Sequence, residues 1–106
     1  MSSFKLSRKA KSDLKGIANF TERRWGVAQR NVYIKKFDDA FHDLAASPLS
    51  GMSSENIKSG YRKIPHGAHI IFYKIGENDC VEIIRILHQS MDVKSKLLST
   101  GVPHKK

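Results

Sequence analysis

The stretch Ala68-His69-Ile70-Ile71-Phe72-Tyr73-Lys74-Ile75-Gly76-Glu77-Asn78-Asp79-Cys80-Val81-Glu82-Ile83-Ile84-Arg85-Ile86-Leu87 decides the fold. It holds two β-branched, aromatic-rich runs around one polar, glycine-containing turn, the pattern of an antiparallel hairpin. The runs span Ala68 to Ile75 and Cys80 to Leu87. A half-exposed antiparallel sheet alternates apolar and polar residues. Here it does not. Ile70 and Phe72 oppose Ile71, Tyr73 and Ile75; strict alternation sets Ile84 and Ile86 against Val81, Ile83 and Leu87. Both sheet faces are therefore apolar.

Working outward, Gly60 to Ile64 reads as a preceding strand, turned by Pro65-His66-Gly67 into a three-stranded meander. Residues 47–58, rich in Ser, Gly and Asn, read as a loop. Upstream the apolar period changes to 3.6. Ala10, Leu14, Ile17, Thr21 and Trp25 form one stripe, flanked by Phe20, and place a helix over about Arg8 to Trp25. Ser7 is its N-cap, and Gly26 ends it through a positive φ. Tyr33, Ile34, Phe37, Ala40, Phe41 and Leu44 place a second helix over about Val27 to Ala46, stopped at Ser47-Pro48. So short a link makes an antiparallel helical hairpin. Phe4-Lys5-Leu6 is an N-terminal edge strand, and Met91 to Leu98 a short C-terminal helix. The class is α+β, with residues 1–98 as one domain and 99–106 as a flexible basic tail. The helical hairpin covers one sheet face. The other is left for the C-terminal segment, for a partner, or partly open.

The 106-residue chain carries a net charge of +9. Residues 1–36 hold ten Lys/Arg against Asp13 and Glu22, so the excess lies in the first third and favours an acidic partner. A single cysteine, Cys80, excludes an intramolecular disulfide and reads as a small buried hydrophobe. No apolar run approaches a membrane span, and the N-terminus has no signal-peptide core, so a cytoplasmic location without membrane contact is expected. No P-loop, dinucleotide fingerprint, zinc HExxH or nucleophile elbow occurs. No metal site or cofactor is expected.

Polar groups able to converge are Arg62, Lys63, His66, His69, Arg85, His88 and Asp92. Arg85 stands mid-strand among apolar residues. It either snorkels or pairs with an acid such as Asp92, or it offers a cation on the open sheet face. His88 could serve as an acid–base group or as a hydrogen-bonded strand end. Trp25, closing an apolar stripe, reads as core, with a binding anchor as the alternative.

Leu6-Ser7, Ala10, Asp13-Leu14, Phe20-Thr21, Trp25-Gly26, Gln29 and Tyr33 resemble the helical hairpin of ParE toxins. Gly60-Tyr61-Arg62, His69 to Tyr73, Arg85 to His88 and Met91-Asp92 resemble the strands and final turn of the same family, within the RelE/ParE superfamily. The resemblance implies a type II toxin–antitoxin module. Its toxin would inhibit DNA gyrase by binding, without catalysis or sequence-specific nucleic-acid recognition, and a ParD-like antitoxin would neutralise it in a hetero-oligomer. Arg62, Lys63, Arg85, His88, Met91 and Asp92 are the candidate toxic surface, with Lys105 and Lys106 of the tail beside them. Leu6, Leu14, Trp25, Ile71 and Tyr73 are candidate antitoxin contacts. The alternative is the superfamily's ribosome-dependent mRNA endonuclease activity, which would cast His88, His69, Arg62, Lys63 and Arg85 as acid, base and phosphate-holding groups.

Overall fold

A computed structural model describes residues 3–55 and 58–90. The expected helix Met91 to Leu98 and the tail 99–106 lie outside them, as do the site candidates Met91, Asp92, Lys105 and Lys106. The elements are β1 (Phe4–Leu6), α1 (Arg8–Trp25), α2 (Val27–Ala46), β2 (Met52–Ser53), β3 (Arg62–His66), β4 (His69–Ile75) and β5 (Val81–His88). They form one five-stranded sheet, ordered β1-β5-β4-β3-β2, with the helical hairpin on one face.

The helices begin and end where local chemistry places them. Ser7 Oγ accepts from the Ala10 amide at 3.0 Å and caps α1. Gly26, at φ 96°, ends α1 and leads directly into α2. The meander β3-β4-β5 is antiparallel as expected, and β1 runs parallel to β5 at the sheet edge.

Three strand expectations need correction. β3 starts at Arg62, because Gly60 (φ 84°) and Tyr61 close a turn in which the Tyr61 amide donates to the Lys58 carbonyl. β3 then continues through Pro65 to His66, and only Gly67-Ala68 form the turn, with Gly67 at φ 60°. Pro65 is tolerated because β2 pairs only with Arg62 and Lys63, so no neighbouring strand needs its missing N–H. β2 itself falls within the expected loop.

The third correction concerns the sheet faces. Phe72 pairs with Arg85 but Tyr73 pairs with Ile83, leaving Ile84 as the extra residue of a β-bulge. The bulge breaks strict alternation. Ile86 joins Val81, Ile83, Ile71 and Tyr73 under the helices, where Phe37, Phe41, Leu44 and Ala10 complete the core. Ile84 and Leu87 instead pack with Phe72 and Tyr61 on the opposite face. That second cluster is no more than 7% exposed. Of the alternatives for this face, exposure or cover by a partner is not needed for this cluster, which is buried within the chain. Cys80 is partly buried and free. Among the described residues no helix is long and apolar enough to cross a membrane.

Candidate functional site

The open apolar surface lies elsewhere, in a groove of about 1000 Å³ between the helical hairpin and one end of the sheet. Ile17, Phe20 and Trp25 of α1 form its apolar wall, while Gln29 and Tyr33 of α2 stand opposite. Ala68, His69, Ile86 and His88 close it along the strand ends. Phe20 is 57% exposed and Trp25 is 65% exposed, which is unusual for aromatic rings at the end of an otherwise buried stripe. The reason is geometric. α1 runs eighteen residues, and its sheet contacts lie at its N-terminal half, through Ala10 and Asp13. Its last turn carries Trp25 beyond that contact.

The groove's shape depends on how α1 is fastened to β5. Asp13 accepts from Arg85 Nε at 2.7 Å and from a terminal guanidinium nitrogen at 2.9 Å. It also accepts from the Ile86 amide at 2.9 Å. Just before α1, Ser7 donates its hydroxyl to the Ile84 carbonyl and its amide to the Ile83 carbonyl. These bonds occupy backbone groups at the bulge and set α1 against it.

At the strand ends, neighbouring strands place His66, His69 and His88 in one row. Tyr33 Oη shares a 3.2 Å hydrogen bond with His69 Nδ1, and the His69 and His88 rings meet edge to face at 5.4 Å. The Ser90 amide donates to His88 Nδ1. Burial pushes the His69 imidazole below its ordinary range; His88 and His66 add to this, and Asp13 opposes it. Burial, helped by Lys36, does the same to His66. Burial also holds the Tyr33 phenol above its usual value, so it keeps its proton at neutral pH. No group of three or more His, Cys, Asp or Glu able to hold a metal occurs among the described residues.

The sequence candidates separate on this frame. Arg62 donates to the carbonyls of Gly51 and Leu49, which secures the loop before β2. Lys63, opposite Phe72, lies two strands from Arg85. Arg85 is held by Asp13, so it is the acid-paired arginine of the sequence reading and its alternative role as a cation on an open face is corrected; Asp92 lies outside the described residues. Of the toxicity candidates described, only His88 reaches the groove. Among the antitoxin candidates Trp25 reaches it, and its reading as core is corrected. Ile71 and Tyr73 are 0% exposed and belong to the core under the helices, so they cannot touch a partner of the folded chain. Leu6 and Leu14 pack partly buried on that core, beside a separate hollow near β1. Sequence reasoning missed Asp13, Gln29 and Tyr33 as site residues, and Phe20 stood only beside the stripe. Asp13 carried a signal, as one of only two acids in the basic first third.

Comparisons with known proteins agree with this architecture. The family model "ParE toxin of type II toxin-antitoxin system, parDE" matches residues 4–93. A protein named Toxin ParE1 from Caulobacter vibrioides is 41% identical over 97 residues, covering 92% of this chain and 99% of that one. A protein of the same name from Mycobacterium tuberculosis is 36% identical over 96 residues, covering 91% and 98%. Among solved structures, a chain from "Chromosomal ParDE TA system from P. aeruginosa" shares the fold with a TM-score of 0.70 at 19% identity, covering 83% of this chain and 96% of that one. The chain belongs to the ParE toxin family of type II toxin–antitoxin systems.

Proposed function

We propose that this toxin inhibits DNA gyrase by binding, and that a ParD-like antitoxin neutralises it by laying an apolar segment into the groove beside α1. The observation that carries the antitoxin half is the exposure of Phe20 and Trp25 on the wall of a groove with hydrogen-bonding groups at its strand end. Exposed aromatic anchors around a concave apolar surface are the composition of a protein-binding hot spot. An amphipathic helix or an extended segment fits such a groove, and a disordered tail that folds on binding is the natural source of either. The gyrase half rests on the family resemblance alone.

The mRNA-cleavage alternative needs cations free to hold a scissile phosphate beside an acid–base pair. Arg85 is committed to Asp13 and Arg62 to loop carbonyls, which weighs against it. The test adds purified toxin to a gyrase supercoiling reaction and, separately, to translating ribosomes. Arrested supercoiling with intact mRNA is the expected result. Cleaved mRNA with unaffected gyrase refutes the proposal.

A further inference from the structure

We propose that the solvent-facing side of α1 is a sequence-independent binding surface for the phosphate backbone of duplex DNA. Arg8, Lys11, Lys15 and Arg23 recur along the side of α1 away from the sheet, and Lys9 and Arg24 flank them; all six are exposed. Arg8 to Arg23 spans roughly 22 Å of helix, about two-thirds of a turn of duplex.

Three observations set this face apart from ordinary surface charge. Both acids of α1 are spent: Asp13 on Arg85, and Glu22 on Arg30 at 3.0 Å. Among the described residues none of the six cations forms an ion pair; elsewhere Lys5, Lys35 and Lys74 do, while Lys36, Lys58 and Lys63 do not but are scattered rather than ranged along one helix. The first turn of α1 contains no acid, so Arg8, Lys9 and Lys11 crowd the positive end of the helix dipole. The folded chain thus presents a cationic face that a polyanion can neutralise.

The chemistry favours a nucleic-acid backbone over an acidic protein. Within the arc of the four cations lie Ser12, Asn19 and Glu22, the last held by Arg30, with no aromatic or large aliphatic anchor; Gly16 lies beyond them, on the groove wall. A protein interface needs such anchors, while phosphate contacts need only cations and close approach, with small polar side chains such as Ser and Asn as additional donors. The apolar anchors lie instead around the groove.

The test measures binding of the full-length chain to two fluorescently labelled duplexes of ~20 base pairs and unrelated sequence, between ~50 and ~200 mM salt. Equal affinities are expected, with a slope of log K against log salt of roughly −3 to −4 for about four phosphate contacts. The variant Arg8→Gln/Lys11→Gln/Lys15→Gln/Arg23→Gln should lose at least ~10-fold in affinity at the lower salt and flatten that slope. The half-variants Arg8→Gln/Lys11→Gln and Lys15→Gln/Arg23→Gln should each remove about half of it, which covers the case where the quadruple variant does not fold. A poly-glutamate peptide is the competing probe. No binding at low salt, a marked preference between the duplexes, binding untouched by the folded variants, or tighter binding of poly-glutamate at equal salt each overturns the proposal.

Discussion

Asp13 on α1 and Arg85 on β5, seventy-two residues apart, are joined by two nearly parallel hydrogen bonds of 2.7 and 2.9 Å. Their side chains are only 14% and 11% exposed, so the pair is largely removed from water. A half-removed buried pair leaves a charge without its partner, which costs far more than the intact pair contributes. Arg85→Ala is expected to lower folding stability by about 3 kcal/mol, read from the urea midpoint at constant slope. Asp13→Ala should cost at least as much, because it also deprives the Ile86 amide of its acceptor. A loss under ~0.5 kcal/mol in Arg85→Ala would return that residue to the surface role read from sequence.

The same pair shows what the sequence could and could not disclose. Elements set by neighbours in the chain were legible: the Ser7 cap, the Gly26 break, the two helical stripes and the meander. The bulge at Ile84 was not, because its backbone groups bond to Ser7 and Asp13 across more than seventy residues. Strict alternation therefore put Ile86 and Leu87 on the wrong faces, while Ile84 stands opposite Val81 and Ile83 as it reads. Trp25 was misread for a related reason. Its spacing fits the apolar stripe, but spacing cannot tell where the supporting sheet stops. Strand β2, two residues long, has no period to read.

Tyr73 and Gly51 make a second test of packing. The Tyr73 hydroxyl donates to the Pro48 carbonyl at 2.7 Å and accepts from the Gly51 amide at 2.9 Å. A methyl group at Gly51 would lie 2.7 Å from the Lys63 carbonyl oxygen and 2.8 Å from Tyr73 Cε1. Gly51 has an ordinary φ of −82°, so the obstacle is space rather than backbone strain. Gly51→Ala is expected to cost about 1–3 kcal/mol by overpacking. Tyr73→Phe should cost a similar ~1–3 kcal/mol by leaving the Gly51 amide without its acceptor. Thermal unfolding of both variants checks this; an unchanged Tm for Gly51→Ala contradicts it.

The histidine row predicts acid sensitivity of the fold. His66 and His69 have folded-state pKa values lowered from 6.5 by burial, so the unfolded chain binds protons more readily than the native one. Their contribution is fully present above about pH 6.5 and is lost as pH falls below it. His66 packs on Phe37 at 4.3 Å between ring centroids, and His69 meets Tyr33, so protonation acts directly on the joint between α2 and the sheet. Urea midpoints should fall between pH 7.5 and 5.5, and the variant His66→Gln/His69→Gln should flatten the decline. An equally steep decline in that variant assigns the effect to other groups.

Phe20 and Trp25 predict a separation of binding from folding. Both rings are more than half exposed, so Phe20→Ala and Trp25→Ala should move stability by less than ~0.5 kcal/mol. As anchors for the antitoxin segment, each should weaken its affinity by about 2 kcal/mol, roughly 30-fold. Calorimetric titration with the cognate antitoxin measures both variants. Full affinity in Trp25→Ala would move the antitoxin away from this groove.

Gly16 makes the opposite separation. It sits mid-helix on the groove wall, and an added methyl group meets nothing within 4 Å. Glycine inside a helix is disfavoured against alanine because its backbone loses more freedom on folding. Gly16→Ala should therefore stabilise the free chain by about 0.5–1 kcal/mol. Gly16→Trp places a large ring in the same opening, so it should leave the fold intact while obstructing the antitoxin segment. A rise in Tm for Gly16→Ala together with lost antitoxin binding in a folded Gly16→Trp is the expected pair of results. Unimpaired binding by Gly16→Trp would show that the segment does not cross α1 there.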